Sequence, residues 1–227
     1  MIWGNIMKLR STSILILVIV TGMFIVSAYA WNQLPEGSQI PIRFDLNGNP
    51  TSYGGKAMGL LFIPIIAVIL TVLYITIPLV EPRSRHLQLS QQAYSATLVT
   101  TIAFLAIIHV AMTAIALEMS VDINMIIYLS LGIVLIVVGN FMSKTRSTFF
   151  FGIRTPWTLT SELSWYKTHR LGSRLFVIHG IGFLISGLVS SSALLIFLVV
   201  SMIVTTIVLL YYSYLVWKDD PKKLIDS

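Results

Sequence analysis

The chain has 227 residues, 56% of them hydrophobic and only 11% charged, with a mean hydropathy of +0.87, where a soluble domain carries roughly 25% charged residues. That balance excludes an ordinary water-soluble globule, and it excludes disorder, which requires low hydrophobicity and high charge. Cysteine is absent, which excludes disulfides, thiolate nucleophiles and cysteine-ligated metal centres.

Stretches free of Lys, Arg, Asp and Glu run from Ser11 to Ala30, Ala57 to Val80, Ala93 to Leu117, Ile123 to Met142, Leu175 to Ser191 and Ala193 to Trp217. Each comes close to, or exceeds, the roughly 20 residues that cross a hydrocarbon layer of about 30 Å. The predicted fold is therefore an all-α polytopic membrane bundle of six transmembrane helices, the last two joined by a tight turn at Ser190, Ser191 and Ser192. Lys8 and Arg10 ahead of the first run, with Ala28-Tyr29-Ala30 at its end, also have the outline of a cleavable signal peptide. About 20 apolar residues is long for a signal core, so this run is read as a retained span.

Cationic residues accumulate in cytoplasmic loops. With the N-terminus inside, 13 of the 15 Lys and Arg residues fall on inner segments, and only Arg43 and Lys56 fall outside. Both termini are then expected in the cytoplasm, and the net charge of +6 reads as membrane topology, with anionic lipid as the partner instead of nucleic acid. Residues 1–92 are expected to form a two-span region with an outer loop at 31–56. Residues 93–227 would form a four-span region with a cytoplasmic loop at 143–174.

The outer loop alternates Ile40, Ile42 and Phe44 with Pro41, Arg43 and Asp45 and then turns through Asn47-Gly48-Asn49-Pro50, the pattern of a short hairpin. It reads as a cap on the bundle, or as a ligand-contacting surface through Arg43, Asp45, Asn47 and Gly48. Pro64 and Pro78 are expected to bend the second span. Within the spans, His109 and His179 are the titratable imidazoles. Each is read as a neutral histidine bonded across helices, with a ligand or proton-carrier role as the alternative. Gly132 with Gly139, and Gly180 with Gly187, stand seven apart on the fourth and fifth spans and mark close-packing faces.

The cytoplasmic loop interleaves aromatic and cationic residues and should lie folded at the inner interface. Pro156 is expected to break the chain there. Thr160 would cap a helix running from Ser161 to about Leu171, with Glu162 in its first turn. Lys167, Arg170 and Arg174 share a face of that helix, which suits lipid headgroups or an anionic partner. No H-E-x-x-H, G-x-S-x-G, Walker or G-x-G-x-x-G motif occurs, and the four histidines are scattered. No enzyme activity, cofactor or metal site is expected.

This loop carries a resemblance. Gly139-Asn140-Phe141-Met142, Phe151-Gly152-Ile153-Arg154-Thr155-Pro156-Trp157-Thr158-Leu159 and Trp165-Tyr166-Lys167-Thr168-His169-Arg170 together resemble the signature of the SdpI family of bacterial membrane proteins. Leu34-Pro35, Ile40-Pro41-Ile42, Phe44, Asn47-Gly48 and Gly54-Gly55-Lys56 are similar to the small domain that commonly precedes it. Family members often carry Pro-Asn where this chain has Ser147-Thr148. The resemblance implies a multi-pass protein of the bacterial cell membrane that confers immunity to a secreted peptide toxin and, in the founding system, also a receptor that recruits a cytoplasmic repressor. A small transporter or exporter of an amphiphile is the alternative. Arg154 is expected to act as a structural or signalling anchor, since a guanidinium bridges carboxylates, phosphates or carbonyls. Trp157 and Trp165 would set the loop at the interface, and Glu162, His169 and Arg170 would make polar links within it.

Overall fold

In the computed structural model, residues 2–189 and 191–223 are described. Ser190 of the expected turn lies outside them, as do the side chains of Lys8 and Arg10. Helix α1 (Ile2–Gln33) leads into a hairpin of β1 (Gln39–Phe44) and β2 (Pro50–Gly55), which opens directly into α2 (Lys56–Val80). The short α3 (Ser84–Leu89) precedes α4 (Gln91–Ala116) and α5 (Ile123–Met142). A five-residue α6 (Pro156–Thr160), then α7 (Glu162–Val189) and α8 (Ser192–Lys218), complete the fold. Six of these helices are long and apolar enough to cross a bilayer, and α2 passes through Pro64 and Pro78 as one helix.

The helices pack in two groups. Ile16, Val20 and Met23 of α1, Ala67 of α2 and Ile102 of α4 form one buried cluster. Tyr128 and Leu135 of α5, Phe183 of α7, and Leu195 and Leu198 of α8 form the other. Contacts between α4 and α5 join them. The outward faces expose Phe62, Ile69, Val72, Phe197 and Ile207, the apolar surface that lipid covers in a membrane protein and that water would not tolerate. The expected glycine faces meet each other: a Cβ on Gly180 would stand 2.7 Å from the Gly132 carbonyl oxygen, and one on Gly139 would stand 2.9 Å from that of Ser173.

The cytoplasmic helix and the fifth span prove to be one helix, α7. No residue between Leu171 and Leu175 ends a helix, and Gly172 is pressed against Met142 and Ile153. At 28 residues α7 measures about 42 Å, longer than a hydrocarbon layer of about 30 Å, so its charged first turns stand beyond that layer. Thr160 is not its cap, since it closes α6. Ser161 Oγ instead accepts the Ser164 N–H at 2.9 Å. Pro156 does not break the chain but starts α6 at the first helical position, where its missing N–H is harmless.

The hairpin sits at one end of the bundle. Ile40 is buried with Ala30 and Leu60, and Gly59 leaves room for it, since a Cβ there would lie 2.6 Å from Ile40 Cβ. The strands pair antiparallel, Gln39 opposite Gly55 and Ile40 opposite Gly54. Lys56, at the start of α2, is buried and donates to the Trp31 carbonyl at 3.2 Å and to Glu36 at 3.3 Å. The loop 143–155 occupies the opposite end.

Candidate functional site

At the loop end, the first residue after α2 organises the site. Glu81 is 4% exposed, and its carboxylate accepts the backbone N–H groups of Phe149, Phe150 and Arg83, each at 3.0 to 3.1 Å. A buried carboxylate is retained only where several donors replace its water. Arg83 answers it, donating to Ser147 Oγ and, at 3.0 Å, to the Leu159 carbonyl, with its guanidinium 4.7 Å from the centre of the Phe149 ring. His86 Nδ1 donates to the Ser147 carbonyl at 2.8 Å, and Ser90 Oγ accepts from Arg146 N–H at 2.7 Å. Four residues of the short 81–90 connection thus hold the signature loop.

From the other side α7 holds the same loop. Trp165 and His169 are each 1% exposed and stack with ring centres 4.0 Å apart. Trp165 Nε1 donates to the Thr145 carbonyl at 3.1 Å. Nε2 of His169 accepts the Ile153 N–H at 2.8 Å, and its Nδ1 lies 2.9 Å from the Trp165 carbonyl. An N–H can only donate and a carbonyl can only accept, so the imidazole is the neutral Nδ1–H tautomer. Gly152, at φ +114, leads into this contact, and a Cβ there would stand 2.7 Å from both Nε2 and the Trp165 ring. Replacing His169 by phenylalanine keeps the ring but removes the acceptor, which should cost about 1 to 3 kcal/mol. The check is thermal unfolding in detergent alongside the emission of the tryptophans; an unchanged midpoint would show that the Ile153 bond contributes nothing.

The third side is α6 and the end of α8. Thr155 caps α6 by accepting from Thr158 N–H at 3.1 Å, while Thr158 Oγ1 accepts from Thr155 N–H at 2.9 Å, a reciprocal box. Thr155 also meets Ser213 Oγ at 3.1 Å, and Ser164 donates to the Ser213 carbonyl at 2.7 Å. Ser161 donates to Asp220. That hydroxyl, with the Lys222 N–H, holds the Asp220 carboxyl below the usual carboxylate range. Trp157 packs edge-on against Tyr214 at 5.4 Å.

The expected signature residues separate by burial. Thr155, Thr158, Trp165, Thr168 and His169 are buried, whereas Asn140, Arg154, Pro156, Glu162, Lys167 and Arg170 are exposed and Trp157 is half-buried. Arg154 makes one bond, to the Phe149 carbonyl at 2.9 Å. Arg170 reaches Tyr166 Oη at 3.0 Å, and Glu162 stands 3.9 Å from His86. Lys167 and Arg170 thus stand outside the lock formed by the buried set, whereas Arg154 joins the loop to itself through Phe149.

At the hairpin end, Asp45 accepts the N–H groups of Asn47 and Asn49, both at 2.8 Å, and the Asn49 bonds hold its carboxyl low. Gly48 takes φ +84 beside Asn124, whose amide donates to the Leu46 carbonyl at 2.8 Å. Asp45, Asn47 and Gly48 thus build the turn, and Arg43 is left exposed. The two intramembrane histidines lie in different helix groups. His109 is 0% exposed, with Nε2 3.0 Å from Ser27 Oγ and 3.2 Å from the Met23 carbonyl. His179 meets the Leu175 carbonyl at 2.7 Å and Ser201 Oγ at 2.9 Å. Both are bonded to neighbouring helices. Among the described residues no three of His, Asp and Glu gather as a metal site.

Sequence reasoning missed Glu81, Arg83, His86, Ser90 and Asp220. One signal was available: Glu81 is one of nine acidic residues and stands on a segment rich in cations.

Six apolar helices, a folded connection locked between them at one end and a hairpin at the other define a multi-pass protein of the cell membrane. The chain belongs to the SdpI/YfhL protein family, whose profile matches residues 144–213, while the profile of a domain of unknown function, DUF1648, matches residues 18–68. It is 31% identical over 178 residues to the Immunity protein SdpI of Bacillus subtilis (strain 168), a span of 78% of this chain and 80% of that protein. No solved structure is a significant match.

Proposed function

We propose that the chain is a non-enzymatic immunity protein that protects its cell against a secreted peptide toxin. The observation that carries this reading is the 31% identity to an immunity protein along most of both chains. Expression in a toxin-sensitive strain tests it: survival should rise with the amount of protein in the membrane, and sensitivity unchanged at full abundance would overturn it.

In this reading the hairpin faces outward and the signature loop faces the cytoplasm, supported by the 13 to 2 division of cations. Ser147 is buried, so a cysteine there would be silent on either side. Asn47 and Lys167 are exposed and serve better. In intact cells an impermeant thiol reagent should label Asn47→Cys and spare Lys167→Cys; the reverse pattern inverts the topology. The profile matches at 18–68 and 144–213 support a division into residues 1–92 and 93–227, although α4 packs on α1 and α2.

The exposed Lys167 and Arg170 favour a second role, docking of a cytoplasmic repressor. Their joint replacement by alanine should abolish repressor recruitment at unchanged membrane abundance and unchanged toxin survival. Normal recruitment by that variant would assign the face to lipid.

A further inference from the structure

Beneath the hairpin lies a cavity of about 340 Å³. The run from Ile42 to Leu46 forms one side, and Ile108, Met112, Ile127 and Leu195 line the other. Ile42, Arg43 and Phe44 of β1 and Asp45 and Leu46 of the turn line the cavity but no residue of β2 does, so it lies on the side of β1 away from β2. Among the described residues β1 belongs to a two-stranded sheet with β2 as its only neighbour, so there its second edge carries no strand. The register shifts between Pro41 and Arg43, and again between Arg43 and Phe44, which marks bulges that bend a strand locally. The helix wall is apolar except for Tyr128 and for Asn124, whose amide already holds the Leu46 carbonyl. Of the charged groups at the rim, Asp45 is occupied by the amides of its own turn, and Arg43 is exposed. Asp45 stays ionised there, but among the described residues Arg43 forms no ion pair with it or with any other carboxylate.

From this juxtaposition we propose that the cavity binds an extended polypeptide segment that adds a strand to the free edge of β1. Its apolar side chains lie against Ile108, Met112, Ile127 and Leu195, and an acidic group meets Arg43. A lipid chain could fill the apolar wall, but only another backbone satisfies the N–H and C=O groups of a strand edge. The inference deepens the immunity reading and rests on it for the source of the peptide, since the hairpin faces the side from which a toxin arrives.

The full chain in nanodiscs is titrated with a fluorescent synthetic peptide of alternating valine and leucine ending in aspartate, and with the same peptide N-methylated at alternate amides. Saturable binding of the first is expected, about tenfold weaker for the N-methylated form and for Arg43→Gln, the loss expected when a hydrogen bond or two is removed. Met112→Trp fills the cavity and should abolish binding with thermal unfolding unchanged; Ile108→Trp replaces it if that variant does not fold. Equal binding of the two peptides, displacement by anionic phospholipid, or absence of saturation overturns the inference. Toxin survival is scored on the unmodified chain and the same variants. An unmodified chain that protects but binds no peptide overturns the cavity assignment and leaves immunity standing, whereas binding without protection does the reverse.

Discussion

Gly180→Leu is expected to remove most folded protein from the membrane, and Gly180→Ala to destabilise it by about 1 to 3 kcal/mol, the range for overpacking a close contact. The new Cβ would meet backbone on the facing helix, the Gly132 carbonyl oxygen at 2.7 Å and Ile136 N at 2.9 Å. Backbone cannot rotate aside as a side-chain end can. A glycine elsewhere in a span supplies the contrast: nothing lies within 4 Å of a Cβ at Gly22, so Gly22→Ala should be neutral or slightly stabilising through helix propensity. Midpoints of thermal unfolding in detergent and membrane abundance provide the comparison. Equal behaviour of the two alanine variants would mean that α5 and α7 do not depend on this crossing.

Glu81→Ala should release the signature loop. It leaves the Phe149 and Phe150 amides without their acceptor, and the expected cost is about 3 kcal/mol, more than a hundredfold in local opening. Hydrogen exchange at those two amides should accelerate by that factor, and trypsin should cut sooner at Arg146 and Arg154. Glu81→Gln keeps one acceptor oxygen and should lose less. Glu162→Ala, at a side chain 63% exposed and 3.9 Å from His86, should change little, as exposed ion pairs do. Exchange at Phe149 that stays slow in Glu81→Ala would show that the loop is held from α7 alone.

The spans were legible because a hydrocarbon layer excludes charge along its whole thickness, and a charge-free run reports that directly. The run Ile123 to Met142 coincides with α5. The start of α7 was read within one residue, but its continuity was illegible: Lys167, Arg170 and Arg174 interrupt the apolar run, yet the helix continues past the layer without a breaker. The hairpin was legible in its alternation and its Asn47-Gly48 turn. Glu81 was not, because its partners are main-chain amides of Phe149 and Phe150, and a backbone donor leaves no mark in side-chain pattern. For His169 the polar role was legible, whereas the Ile153 N–H that it accepts became visible only with the loop folded. Arg154 carried more expectation than its single carbonyl contact supports, since a guanidinium's reach says nothing of which oxygen comes near.

Helix α2 begins where β2 ends and reaches Val80, one residue before Glu81, so one continuous helix of 25 residues, about 37 Å along its axis, connects the two ends of the molecule. Its ends are therefore related by angular phase as well as by distance. A residue inserted at mid-helix would turn Glu81 through about 100° relative to the hairpin, away from the amides of Phe149 and Phe150, without altering a side chain at either end. Insertions of about seven residues nearly restore the phase but displace the carboxylate by about 10 Å along the axis. The length of α2 is thus a coordinate of the structure in its own right, more tightly held than its apolar composition, which many residues could supply.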